Sequence, residues 1–346
     1  MKILLLILLI SPCFSRLTAE EALFYKSDVL DIQVAKNVTL KGDIFIPTEK
    51  PKGLFLILNG LGNYRADCYS ICQFLAYANF ASYIFSYRGH DRSGGEYDLD
   101  KYLADLSAVK TGLFIALHER GLSDLPFFIL GGSMGGMLGI RFAEQNRISG
   151  IITIAAPISF SQIAESSIFY RNLKSFINLP VPMPLKDALI KIGVDTCKHY
   201  LAPDLPTDLS KQENLLKPQL ISREKRVDFF FDLNHEPLGT GFGALRITSG
   251  SDFVNKSLKD FSIEPGRLTC PALFICGRND NILSLGDPEQ LKLYQETLTR
   301  ISIPGKSEFM VFQDAGHSGE DYFRPVVIKK IIEFAENYSK IIKCSP

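Results

Sequence analysis

The chain has 346 residues, is 46% hydrophobic and 22% charged, and carries no formal net charge. That length can bury a large core as one long domain, or a core with an inserted lobe. No basic block or acidic tail points to a nucleic-acid partner, and no internal repeat or low-complexity tract is evident.

In chain order, the first segment reads as a targeting signal. Lys2 is a minimal basic region, Ile3 to Ile10 is an unbroken apolar run, and Pro12, Cys13, Ser15 and Ala19 follow. Eight apolar residues fall short of the roughly 20 that span a bilayer. Residues 1–19 are therefore expected to be a secretory signal peptide, cleaved after Ser15 or Ala19. The product would be secreted, periplasmic or lumenal in the secretory pathway.

Val29 to Ala35 and Val38 to Ile46 read as a strand pair. Leu54 to Leu58 is a continuous apolar strand that ends in Asn59-Gly60-Leu61-Gly62, and Tyr69 to Ala78 reads helical. Ala81 to Tyr87 is a second buried strand, closed by Arg88-Gly89-His90-Asp91. Leu99 to Leu117 has helical spacing, Phe127 to Leu130 is a strand, and Met137 to Glu144 continues a helix. Gly150 to Ala155, Ala272 to Cys276 and Phe309 to Phe312 are further strands, and Pro325 to Ile342 is a long helix. Apolar strands alternating with helices predict a mostly parallel sheet covered on both faces.

Between Ile158 and Pro265 the rhythm breaks. This stretch holds eight of the 18 prolines, the run Phe229-Phe230-Phe231, and the cluster Arg223, Lys225 and Arg226. It reads as a cap inserted over the C-terminal strand ends, where such sheets bind ligands. The predicted organisation is a core of residues 20–157 and 266–346, with a cap at 158–265.

The seven cysteines do not settle the compartment. Cys68 and Cys72 lie one turn apart on a predicted helix, Cys270 and Cys276 flank or occupy a strand, and none has zinc-like spacing. Buried thiols are the expectation for most. A disulfide involving Cys197 or Cys344 stays open. Sequons stand at Asn37, Asn255 and Asn337.

Ser133 carries the most chemical information. It sits in Gly131-Gly132-Ser133-Met134-Gly135, directly after an apolar strand and before a helix rich in small residues. A serine there is held on a sharp strand-to-helix turn, with its hydroxyl exposed at the helix N-terminus. A hydroxyl needs a base to take its proton, and the base needs a carboxylate to hold its tautomer. His317, in Gln313-Asp314-Ala315-Gly316-His317, lies between a strand and the last helix. Asp280, in Gly277-Arg278-Asn279-Asp280, directly follows a strand. Asp252 and Asp314 are competing loop carboxylates, and Asp314 reads as an anchor for the His317 loop. The chain has five histidines, and His90, His118, His199 and His235 read as structural. The oxyanion hole is expected from the backbone N–H groups of Leu61 and Met134.

These motifs, together with Tyr87-Arg88-Gly89-His90-Asp91-Arg92-Ser93-Gly94-Gly95, resemble the α/β-hydrolase superfamily. Within it they resemble the monoacylglycerol lipase, lysophospholipase and serine aminopeptidase-like group. The likeness runs from about Val29 to Ile342, leaving the cap unmatched. Two positions depart from the group: Asn59 replaces a usual histidine, and Asp91 a usual glycine. The resemblance implies an α/β-hydrolase fold and a Ser133–Asp280–His317 triad cleaving carboxylic esters through an acyl-serine. Thioester hydrolysis, acyl transfer or peptide cleavage on the same triad are alternatives, as is a binding protein on a hydrolase scaffold. No metal or organic cofactor is implied. The expected partner is a small or lipid-like acyl substrate, with transient contact at a membrane surface.

Overall fold

The structure, a computed structural model, describes residues 25–63, 65–158, 266–280, 282–317, 322 and 324–339. The expected leader at 1–19, residues 159–265 of the expected cap, Asp252, Cys197 and Cys344 lie outside them.

Eight strands form one sheet in the order β1-β4-β6-β5-β7-β8-β9-β10. They are β1 (Tyr25–Val29), β4 (Gly42–Pro47), β5 (Leu54–Leu58), β6 (Ala81–Phe85), β7 (Phe127–Gly132), β8 (Gly150–Ile154), β9 (Ala272–Gly277) and β10 (Ser307–Phe312). All pairings from β6 through β10 are parallel, whereas β4 runs antiparallel to both β1 and β6. The helices are α1 (Tyr69–Tyr77), α2 (Leu99–Glu119), α3 (Met134–Gln145), α4 (Pro288–Ile301) and α5 (Pro325–Ser339). Among the described residues, no helix is long and apolar enough to cross a membrane.

The continuous apolar strands are explained by burial on both faces, with alternate side chains serving opposite layers. Leu54, Leu56 and Leu58 of β5 and Phe127 and Ile129 of β7 join one core with Leu106, Val109 and Leu113 of α2 and Met137 and Ile140 of α3. Their neighbours Phe55, Ile57, Phe128 and Leu130 join a second core with Ile71 and Leu75 of α1 and Ile328, Ile331 and Phe334 of α5. Each such side chain, fully buried, contributes about 1.5–3 kcal/mol.

The expected first strand pair is corrected. Val29 to Ala35 is not one strand: β1 ends at Val29 and β2 (Ile32–Ala35) starts separately. Val38 to Ile46 is likewise broken at Lys41. Its first part, β3 (Val38–Leu40), forms a small antiparallel hairpin with β2, while β4 enters the main sheet. At the break the Lys41 amide donates to Ser93 Oγ at 2.9 Å and its carbonyl accepts from the Ser86 amide at 2.9 Å, and Tyr83 lies over the next residue, Gly42. A β-carbon on Gly42 would fall 2.1 Å from the Tyr83 hydroxyl, and that hydroxyl donates to the Leu30 carbonyl at 2.9 Å. Helix α4 is an addition that the sequence reading did not make. Asp287 caps it by accepting from the Glu289 amide at 2.8 Å, and Pro288 occupies its first position.

Strands β8 and β9 are parallel neighbours, with Ile151 opposite Ala272. Strand β8 in turn pairs with β7, the strand that runs into Ser133.

Candidate active site

The turn at Ser133 is made by the absence of side chains around it. A β-carbon on Gly131 would lie 2.5 Å from the Gly135 carbonyl oxygen, one on Gly135 2.1 Å from the Leu58 carbonyl oxygen, and one on Gly136 2.5 Å from the Ala156 β-carbon. The turn closes only with glycine at these places. Ser133 itself sits at φ +49° and ψ −123°, a conformation that costs a non-glycine residue about 1–3 kcal/mol. It is held there because its amide donates to the Ile154 carbonyl at 2.8 Å, and its carbonyl accepts from Gly136 and Met137 at 2.9 and 3.2 Å.

The two partner loops are laced together by backbone. Arg278 donates to the Phe312 carbonyl at 2.8 Å and Asn279 to the Ala315 carbonyl at 2.9 Å. Asp280 is fully buried. Its Oδ1 accepts from the Ile282 and Leu283 amides, both at 2.9 Å, and its Oδ2 lies 2.8 Å from His317 Nδ1. His317 Nε2 is 2.9 Å from Ser133 Oγ. The proton on Nδ1 therefore points at the carboxylate, and the free lone pair on Nε2 faces the serine hydroxyl. That chain can draw a proton from Ser133 and hold the resulting imidazolium.

Asp314 is placed elsewhere. Its carboxylate is exposed and accepts both of its bonds from Arg324 Nη1, each at 2.9 Å. This pairing holds its carboxyl below the usual carboxylate range. The geometry puts Asp280, and not Asp314, against the imidazole.

The strand β5 loop runs beside the serine. A β-carbon on Gly60 would stand 3.6 Å from the Ser133 β-carbon. Neither the Leu61 nor the Met134 amide has an acceptor among the described residues. Met134 opens α3, where the first amides have no partner inside the helix. Asn59 is buried, and its side-chain oxygen accepts from the Cys68 thiol at 3.0 Å.

Cys68, Cys72, Cys270 and Cys276 are unpaired thiols. Burial pushes Cys72, Cys270 and Cys276 up to about 12, with the Asp280 carboxylate adding to the effect at Cys276. Among the described residues, no group of three or more histidine, cysteine or acidic side chains is arranged to hold a metal ion.

From sequence, a satisfied structural role is expected of His90. Structurally, its imidazole reaches the β5 loop, with the Gly62 amide donating to Nε2 at 3.3 Å. No local pattern marks that contact, because it joins residues 28 positions apart.

The mostly parallel sheet, with Ser133 on its central strand-to-helix turn, defines an α/β hydrolase. Residues 49–317 match the family described as serine aminopeptidase, S33, and the chain belongs to that family. A monoacylglycerol lipase of Mycolicibacterium smegmatis is 31% identical over 112 residues, covering 31% of this chain and 38% of that protein. A relative from Schizosaccharomyces pombe is 23% identical over 240 residues, covering 68% of this chain and 55% of its own length. The chain thus spans about half or less of these curated relatives. An esterase of Pyrococcus furiosus shares the fold with a TM-score of 0.53 at 17% identity, over 91% of this chain and 94% of that one.

Proposed function

We propose that this chain is a serine hydrolase of carboxylic esters. The observation that carries the reading is the unbroken hydrogen-bonded chain from Ser133 Oγ through His317 to the buried Asp280, at 2.9 and 2.8 Å. The likeness to a monoacylglycerol lipase supports an acyl ester of a small or lipid-like alcohol as substrate.

In this mechanism Ser133 Oγ attacks the ester carbonyl as His317 Nε2 takes its proton. The tetrahedral oxyanion is received by the Leu61 and Met134 amides. Such a donor is worth about 2.7–4 kcal/mol in the transition state. His317 then protonates the departing alkoxide, leaving an acyl-Ser133 ester and a free alcohol. Water enters, loses a proton to His317 and attacks the acyl carbonyl. The acid departs as Ser133 recovers its proton. Asp280 keeps the imidazole oriented and stabilises its cation throughout.

The test is labelling of the intact protein with a fluorophosphonate, followed by a panel of esters, thioesters and aminoacyl amides of graded chain length. Labelling with turnover highest on esters is expected. No labelling overturns the serine mechanism, and preferential cleavage of the amides overturns the ester assignment.

A further inference from the structure

The residues that receive an oxyanion must be held as firmly as those that make it, because donors work only when already aimed. In this molecule the segment after β6 holds the β5 loop at three points. Tyr87 donates its hydroxyl to the Asn59 carbonyl at 3.0 Å. His90 Nε2 accepts from the Gly62 amide at 3.3 Å. Arg65, at the far end of the loop, donates from Nε to Asp91 at 3.3 Å and from Nη1 to Asp43 at 2.7 Å. Leu61 lies between the first two ties.

The His90 contact is directional. Its Nδ1 lies 3.2 Å from the Arg88 carbonyl oxygen, which can only accept, so the network assigns the ring proton to Nδ1. Nε2 is then left with a lone pair for the Gly62 amide. Packing holds the ring in place: His90 is 1% exposed, with the Tyr87, Tyr97 and Tyr102 rings around it, and the Tyr102 hydroxyl, 3.4 Å from Nδ1, donates to the same Arg88 carbonyl at 3.1 Å. Gly62 is held at φ +79°, a left-handed conformation that turns the chain straight after Leu61. The segment carrying His90 has its own turn, since a β-carbon on Gly89 would lie 2.2 Å from the Tyr97 amide nitrogen.

We infer that His90 is a positioning residue for the reaction. Through the Gly62 amide, and with Tyr87 on the Asn59 carbonyl, it fixes the direction of the Leu61 N–H that receives the oxyanion. This rests on the serine-hydrolase reading above.

Two substitutions separate the two ring nitrogens. His90→Gln can place an amide oxygen where Nε2 stood and still accept from Gly62. His90→Asn can replace only the Nδ1 donor and leaves the Gly62 amide without its acceptor. The assay is hydrolysis of a p-nitrophenyl acetate ester, with the fluorophosphonate labelling rate measured in parallel. Loss of a whole oxyanion donor costs about 10²–10³-fold, so a misaimed one in His90→Asn should lower kcat by about 10- to 100-fold. KM should stay within about twofold, since the interaction is made in the transition state. His90→Gln should recover most of the lost kcat, and labelling rates should follow the same order. Equal impairment of the two variants, or a loss confined to KM, overturns the inference. So does an His90→Asn enzyme as fast as the parent. Where His90→Asn does not fold by near-ultraviolet circular dichroism, Tyr87→Phe decides: a folded variant with unchanged kcat overturns the inference, and one with selectively lowered kcat supports it. An unlabelled parent protein overturns the serine-hydrolase reading and this inference together. A labelled parent with indifferent variants overturns the inference alone.

Discussion

Gly277 ends β9 against the loop that carries His317: a β-carbon there would lie 2.2 Å from the Ala315 carbonyl oxygen. The close approach lets Asp280, three residues on, reach the imidazole. Gly277→Ala must push the two loops apart, lengthening the 2.8 Å contact between Asp280 and His317. Misplacement by about 1 Å can cost 10²-fold in rate. Ester turnover should fall by about that factor while circular dichroism stays that of the parent. A variant with parental turnover would contradict the role of this contact.

Ser133→Ala should abolish fluorophosphonate labelling and lower turnover by about 10⁴-fold or more, because the covalent route disappears. It should leave stability close to that of the parent, since alanine keeps the same backbone conformation and gives up only the hydroxyl and its contact with His317. Mass spectrometry of the labelled protein checks the first point and a urea melt the second. A probe adduct on the variant would remove Ser133 from the mechanism.

Asp280→Asn and Asp314→Asn discriminate the two loop carboxylates. The first turns an acceptor for the His317 N–H into a group that favours the wrong tautomer, and should cost about 10⁴-fold in kcat. The second removes charge from an exposed pair with Arg324, and should leave kcat within about twofold. Comparable losses in both would reverse the assignment.

Arg65 is buried between two carboxylates, Asp43 at 2.7 Å and Asp91 at 3.3 Å. Arg65→Met leaves both acids without their cation and should cost about 3–5 kcal/mol. Asp43→Asn keeps acceptors for Arg65 and for the Tyr69 hydroxyl, and should cost less. The pH dependence has a definite sign. Burial already raises the Asp43 carboxyl despite Arg65, and loss of Arg65 raises it further. A group raised in the folded state contributes stability below its unfolded value, near 3.9, that is lost as pH climbs through the folded one. The deficit of Arg65→Met should therefore shrink as urea melts are run from neutral pH towards 4. A deficit that grows on acidification would show that Asp43 and Asp91 need no counter-ion.

Burial keeps Cys72, Cys270 and Cys276 as neutral thiols, each near 12. Because the thiolate is the reactive form, iodoacetamide at neutral pH should leave these three unmodified in the native protein, as read by peptide mass mapping. Rapid alkylation of Cys276, beside the Asp280 loop, would show that the site opens.

Ser133 was legible in the sequence because the residues that shape its turn are its own neighbours. Gly131, Gly135 and Gly136 report a turn that closes only without side chains, and the apolar run before them reports a strand. His317 and Asp280 were legible as loop residues at strand ends in the right order. The strand pattern was legible because burial on both faces demands continuous apolar residues, as in Leu54–Leu58. The assignments that failed or stayed open depend on residues far apart in the chain. Nothing within Val38 to Ile46 says that it breaks at Lys41, whose amide and carbonyl bond to Ser93 and Ser86, residues more than 40 positions away. Chain order favours Asp280 over Asp314 as the partner of His317, but it does not say what holds each of them. Only the lacing of Asn279 to the Ala315 carbonyl, and the position of Arg324, send one to the imidazole and the other to a surface cation. His90 reads from sequence as a structural residue, and the structure buries and hydrogen-bonds it. Which groups it meets is decided by packing, which carries the Gly62 amide to Nε2. Backbone geometry can be read from neighbouring residues, whereas the partner of a polar side chain is set by the sheet order that brings distant loops together.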